Sequence, residues 1–414
     1  MKKFKKNIIA LSLVALNVTS INALNIDEAV ELALKKNLDI QAQAYEYQAS
    51  KQSIAVQNSG TLPKFDVAVN YNKNDEVITG YNKKNGTASA VLSYNLFNGF
   101  ATSSNVDSAE FLFQSSSFTL KALKEDITLN TKSAYINYLD EKNALETYIS
   151  AYELFKNQFK DSKNKYDQGL LAKNDLLQVQ VNILTAKQNV VKAKGDLKIA
   201  KFQLSNILGG YDLKDENIEN LKSTTFDDLN LDEQVLENRS EIQALKMNVE
   251  SLKEQNKVIN SDLYPKVDLS LTHNNYYEKS INTQIDKQNT LGLSASWNIY
   301  GGGSTKAQDK IYKTNILKAK SQLAKTRLDI KLQYENAKSD LEVANDNLET
   351  ATLALEQAKE NYNIVDNRFN EGISSSTDLT DANYLLTSAK QSYHRAYFDK
   401  FLAQATLKRV FEIK

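Results

Sequence analysis

The sequence predicts a mixed α/β membrane subunit, a tandem duplication in which two strand pairs interrupt long coiled-coil helices. Three observations lead there: a repeat of about 200 residues, apolar residues at heptad spacing through most of the chain, and strand pairs of membrane-spanning length.

The repeat is visible in four blocks that recur in the same order. Asn25-Ile26-Asp27-Glu28-Ala29-Val30 returns as Asn230-Leu231-Asp232-Glu233-Gln234-Val235. Leu62-Pro63-Lys64-Phe65-Asp66-Val67 returns as Tyr264-Pro265-Lys266-Val267-Asp268-Leu269, which accounts for both prolines in the chain. Tyr94-Asn95-Leu96-Phe97-Asn98-Gly99 matches Trp297-Asn298-Ile299-Tyr300-Gly301-Gly302, and Lys165-Tyr166-Asp167-Gln168-Gly169-Leu170 matches Arg368-Phe369-Asn370-Glu371-Gly372-Ile373. The repeats are expected over 24–229 and 230–414, each ordered as helix, strand pair and long helical hairpin.

Residues 1–23 read as a cleaved leader. Lys2, Lys3, Lys5 and Lys6 precede a short apolar run over 8–18, and Ala23 offers a small residue at the cut. The 51 basic and 51 acidic residues balance, so no positive excess exists to hold nucleic acid. The absence of Cys removes disulfides, thiolate metal sites and thiol nucleophiles. After residue 23 no run approaches the ~20 apolar residues of a spanning helix, so any crossing of a membrane is by β-strands.

The first helix of each half is expected over 27–57 and 232–259, opening on acids that suit a helix N-terminus and stopping before a proline. Strands are expected near 62–74, 87–97, 264–275 and 289–299. In them Phe65, Val67, Val69 and Tyr71 alternate with polar or small residues, as do Leu291, Leu293, Ala295 and Trp297. The polar segments 72–85 and 274–289 would be exterior loops. Tyr138, Leu145, Tyr152, Phe159 and Tyr166 then recur every seven residues, as do Tyr334, Leu341, Leu348, Leu355, Tyr362 and Phe369. A sustained heptad means a left-handed coiled coil, and a helix over 101–166 would be roughly 100 Å long. A second seam is small: Val179, Ala186, Ala193, Ala200 and Ile207, copied as Ala382, Ala389, Ala396, Ala403 and Val410. Gly209-Gly210 ends a helix, and 211–230 reads as a polar linker.

The two loops 166–176 and 369–379, with the Asp-Glu helix starts and the Pro-containing strand entries, resemble the TolC family of outer-membrane efflux proteins over essentially the whole chain after the leader. The resemblance implies a homotrimer in which four strands per chain close a twelve-stranded transmembrane β-barrel, continued through the periplasm by a coiled-coil α-helical barrel. It implies an exit duct in the cell outer membrane, passively conducting substrates for a tripartite efflux or type I secretion system. The partners implied are outer-membrane lipid, a periplasmic adaptor (membrane fusion) protein and an inner-membrane pump of the RND, ABC or MFS type. The adaptor-contact role falls on the tips Gln168, Gly169, Leu170, Glu371, Gly372 and Ile373. Acidic rings at a narrow entrance fall on Asp378 and Asp381, which share a helix face, with Asp175 on the other hairpin; crowding there would raise some of their pKa values. Helix-start acids would also account for these aspartates. Ser374 stands where the best-studied member carries an Arg of its closing latch.

Other chemistry is weak. Gly301-Gly302-Gly303-Ser304-Thr305-Lys306 lacks the order of a phosphate loop, His273 and His394 are isolated, and Asp27-Glu28 and Asp232-Glu233 read as helix starts. No catalytic, metal or cofactor site is expected. An exported coiled-coil spacer or adhesin would share the leader and the heptads, but it gives no reason for duplicated strand pairs.

Overall fold

Pro63 and Pro265 each end a helix through a short 3-10 turn and open a strand, because proline pushes its predecessor out of the helical region; Leu62 and Tyr264 are both extended. A computed structural model describes residues 24–75, 83–213, 218–221, 231–278 and 285–413; the expected leader and the middle of each expected exterior loop lie outside the described residues. The first half contains α1 (Ile26–Lys36), α2 (Leu38–Asn58), β1 (Lys64–Lys73), β2 (Lys84–Asn98), α3 (Ala101–Asp167) and α4 (Lys173–Ile207). The second contains α5 (Glu233–Asn238), α6 (Ser240–Asn260), β3 (Lys266–Tyr277), β4 (Lys287–Ser296), α7 (Ser304–Asn370) and α8 (Ser376–Phe411). The two long helices, α3 and α7, have 67 residues each.

Each first helix, expected as one piece, is two. At Asn37 the backbone is extended, and its Oδ1 accepts from the amides of Asp39 (2.9 Å) and Ile40 (3.3 Å), starting a second helix. The Asn37 amide group donates to Ile207 O at 3.1 Å, pinning the break to the end of α4. Arg239 makes the matching break in the second half, its guanidinium donating to Arg409 O at 2.8 Å and to Val410 O. Around it Glu412 accepts from the Ser240 amide (2.8 Å) and hydroxyl (2.7 Å), and Lys121 meets Glu412 at 3.0 Å. Burial opposes ionisation of Glu241, but Arg239 and Arg409 overcome it and hold its carboxyl down at about 2.

The small seam is buried along its length. Val179, Ala186, Ala193 and Ala200 on α4 are buried, as are Ala382, Ala389, Ala396 and Ala403 on α8, with α7 contributing Ala337, Ala344, Ala351 and Ala358. Small side chains in such a seam let paired helices approach closely. The larger Leu177, Leu184 and Val191 of α4 stay exposed, as do Leu332, Val343 and Leu353 of α7. The main core lies where α1, α3, α4 and α8 meet, around Tyr135, Leu139, Leu204 and Phe398. Leu213 and Ile218 join that core, and Ile218 bridges Leu24 in parallel. The segment expected as a polar linker is therefore, in its described part, a strap held by its few apolar residues.

Candidate functional site: the membrane sheet and the helical tips

The four strands form one antiparallel sheet in the order β1-β2-β3-β4. Cross-strand partners share a face, so the register sorts the side chains. Phe65 sits opposite Leu92, which sits opposite Leu271, which sits opposite Leu291. Val67, Val69, Tyr94, Leu269 and Leu293 extend this apolar face. The opposite face carries Asp66, Asn70, Asn95, Asp268, Ser270 and Thr272, where the Asn95 amide donates to Asp268 Oδ1 at 2.7 Å. A bulge between Asn95 and Phe97 sets Phe97 opposite Val267, returning an aromatic ring to the apolar side at the strand end. Much of the apolar face is open: Val69 and Leu291 are each 73% exposed. An exposed apolar band of this kind on a sheet face marks a lipid or partner surface.

At the far end of the helices the two tips are built alike. Gly169 (φ 76°) and Gly372 (φ 77°) take the left-handed conformation that glycine tolerates. The amides of Leu170 and Ile373 donate back to Lys165 O and Arg368 O at 2.8 Å each, closing both helices in the same way. The residue after each glycine then points outward, with Leu170 73% and Ile373 63% exposed. Gln168 and Glu371 are the C-caps of α3 and α7.

Asp175 and Asp378 lie in the first turns of α4 and α8, and Asp381 is exposed one turn on. Asp378 is engaged in a capping box: its amide donates to Ser375 Oγ (3.1 Å), and its Oδ2 accepts from the Ser375 amide (2.8 Å). The Ser375 amide and hydroxyl, helped by Arg368, hold the Asp378 carboxyl below the ordinary range. Within one chain its pKa therefore moves opposite to the direction expected from crowding.

Sequence reasoning missed the contacts that join the two hairpins. Lys165 Nζ donates to Phe369 O at 2.6 Å and sits 3.7 Å from the centre of the Phe369 ring. Above it the buried Gln158 donates to Ser376 O (2.8 Å) and Thr380 Oγ1 (2.9 Å) and accepts from Asn383 (3.3 Å). Asn182 donates to the same Thr380 hydroxyl at 3.3 Å. One signal was available: Ala144, Ala151, Gln158 and Lys165 recur every seven residues, so the last two are polar members of a packed seam.

The outer membrane efflux protein family matches residues 29–210 and 231–411, one match in each half. Outer membrane protein TolC of Escherichia coli (strain K12) is 25% identical over 439 aligned positions, covering 99% of this chain and 86% of that protein. The toxin and drug export protein A of Aggregatibacter actinomycetemcomitans is 22% identical over 383 positions, covering 86% of this chain and 80% of its own length. The Campylobacter jejuni CmeC outer membrane channel shares the fold, with a TM-score of 0.84 at 16% identity over 99% of this chain and 93% of that one. With both halves matched and the whole fold shared, the chain belongs to the outer membrane efflux protein family, as an outer-membrane channel that extends into the periplasm.

Proposed function

We propose that three copies assemble into one continuous duct, which passes substrates from an inner-membrane pump and a periplasmic adaptor to the outside. The observation that carries this reading is the sheet, apolar on one face and polar on the other, with β1 and β4 as its two outer strands. Open edges are not tolerated in lipid, and closure by assembly removes them. The exposed stripes on α4 and α7 support the same closure in the helical body. The leader 1–23 directs export, and the tips exposing Leu170 and Ile373 receive the adaptor.

The test is size and topology together. Purified protein is expected to run as a trimer in detergent and to come from the outer-membrane fraction. A tag inserted at Tyr81 should be labelled on intact cells, and one at Gly169 only after the outer membrane is breached. A monomer freely soluble in the periplasm would overturn the reading.

The entrance role of Asp378 and Asp381 is tested by charge removal. Three copies bring six carboxylates to one opening, which favours cations. Asp378→Asn with Asp381→Asn keeps an acceptor for the Ser375 amide while removing the charges. The variant trimer in planar bilayers should show a reversal potential shifted toward zero under a salt gradient. The low pKa of Asp378 also sets a sign: its charge, and the cap it makes, are present above the ordinary carboxylate range and are lost as pH falls through the depressed value. Wild-type selectivity should therefore persist into mildly acidic solution. Unchanged selectivity in the double variant would leave these residues as helix-start acids only.

A further inference from the structure

The apolar face of the sheet gives way to cations at the outer ends of the strands. On β1 it runs through Phe65, Val67, Val69 and Tyr71, and the next residue of that face is Lys73, the last of the strand. Lys73 sits directly opposite Lys84, the first residue of β2, so two ammonium groups share the face just beyond the apolar band. On β3 and β4 the band stops at Leu271 and Leu291. The following rungs of that face are His273 opposite Asn289 and Asn275 opposite Lys287. Tyr71 and Tyr277, both exposed, close the band beside the lysine pair. Between them lies Gly86, where an added Cβ would be 3.4 Å from the Tyr71 ring and 3.4 Å from Tyr277 Cβ, so both side chains close over the glycine.

These ends of the strands point away from the helices, because α2, α3, α6 and α7 all join the sheet at its other end. With the helical body in the periplasm, the lysine pair lies at the outer leaflet, on the face turned to lipid. Like charges directly opposite each other on neighbouring strands are destabilising, and among the described residues neither ammonium group is in an ion pair. The neighbouring carboxylate of Glu278 accepts instead from the Tyr71 hydroxyl at 3.3 Å. On the polar face the lysines stand elsewhere, Lys64 and Lys266 opening β1 and β3 at the helical end. Apolar side chains, then tyrosines, then paired cations match an amphiphile whose acyl chains end in an anionic headgroup.

We propose that Lys73 and Lys84 form a binding site for a phosphorylated lipid of the outer leaflet. Its phosphate lies between the two ammonium groups, each acting on it as a point charge, and neutralises a pair that the strand register forces together. Its acyl chains run over Tyr71, Val69 and Val67. Lys287 holds the position of Lys84 in the second half, but Asn275 stands where Lys73 does, so that hairpin offers one cation and the first hairpin two. Each chain therefore carries one strong site, built within a single strand pair, and it stands whether or not three copies assemble.

The test titrates the detergent-purified protein with lipid A and counts bound lipid by native mass spectrometry. Wild type should retain diphosphoryl lipid A and release the dephosphorylated form, which has the same acyl chains. Lys73→Gln or Lys84→Gln should each weaken retention about fivefold, and the two together about 25-fold, the factor expected for lysines at an anionic surface. Lys64→Gln with Lys266→Gln, on the other face at the other end, should leave retention unchanged. Inorganic phosphate at the lipid's concentration should not displace it, because phosphate alone makes no contact with the apolar band. Full retention by the double variant, equal retention of the dephosphorylated lipid, or displacement by inorganic phosphate overturns the site. Lys73→Arg with Lys84→Arg separates binding from folding: it keeps both charges and should hold the lipid as wild type does, and loss of the lipid there overturns the site as well.

Discussion

Arg239→Ala is expected to cost about 3–5 kcal/mol, the range for removing one partner of a buried ion pair. The guanidinium is almost wholly buried and meets Glu241 at 2.8 Å and Glu412 at 3.7 Å while donating to the last carbonyls of α8. Alanine would leave two carboxylates and two carbonyls without it, and α6 would lose its tie to α8. Lysine should rescue only part of the loss, because one ammonium cannot reproduce a planar fork. The cost is read as the fall in urea midpoint of the detergent-solubilised protein. A pH arm tests the cause. Glu241 and Glu237 are both held at about 2, Glu237 chiefly by hydrogen bonds from Arg327 and Lys246. Depressed carboxylates add stability that is complete above their unfolded values and lost as pH falls toward the folded ones. Wild type should therefore weaken between about pH 4.5 and 2, and Arg239→Ala should weaken less over that interval. A variant with the wild-type midpoint would remove the clamp from the account of stability.

Gly99→Val is expected to abolish assembly. A side chain in the left-handed region costs roughly 1–2 kcal/mol, and a β-branched one is the least tolerant of it. The larger effect is steric, since a Cβ at Gly99 would run into the carbonyl oxygen of Ser261, a backbone atom that cannot swing aside. Relief requires β2 to move away from the entry of β3, in the middle of the sheet. Gly169→Ala is the comparison, with a similar φ of 76° but no described atom within 4 Å of its added Cβ. It should cost roughly 1 kcal/mol and leave oligomers intact. Heat-modifiable oligomer in the membrane fraction is the measurement, and a wild-type amount from Gly99→Val would show that the close approach is dispensable.

Much of this architecture was legible because its signals are local or periodic. Paired prolines mark where helix gives way to strand, alternation marks the faces of the sheet, and heptads mark helices of unusual length. Each reports one element's relation to its own surroundings. Interruptions that depend on another element were not legible: Asn37 and Arg239 break their helices while reaching Ile207 and Val410, far along the chain.

At the tips the matched glycine loops of the two hairpins follow from sequence alone, since positive φ restricts the choice of residue. Their linkage does not. Lys165 meets the Phe369 ring at the end of α7, and Gln158 meets Thr380 of α8, only because the two helical hairpins pack side by side. Asp378 shows the same division within a single residue. Its type and spacing admitted a pore charge and a helix start alike, while the amide its carboxylate accepts from is set by the extended backbone at Ser375. Periodicity determined which faces are apolar and how long each element runs, because those depend on neighbours along the chain. Which side chains meet, and which carboxylates are held, was decided by helix packing and backbone direction, because hydrogen bonds act over about 3 Å and spacing in sequence does not set distances between elements.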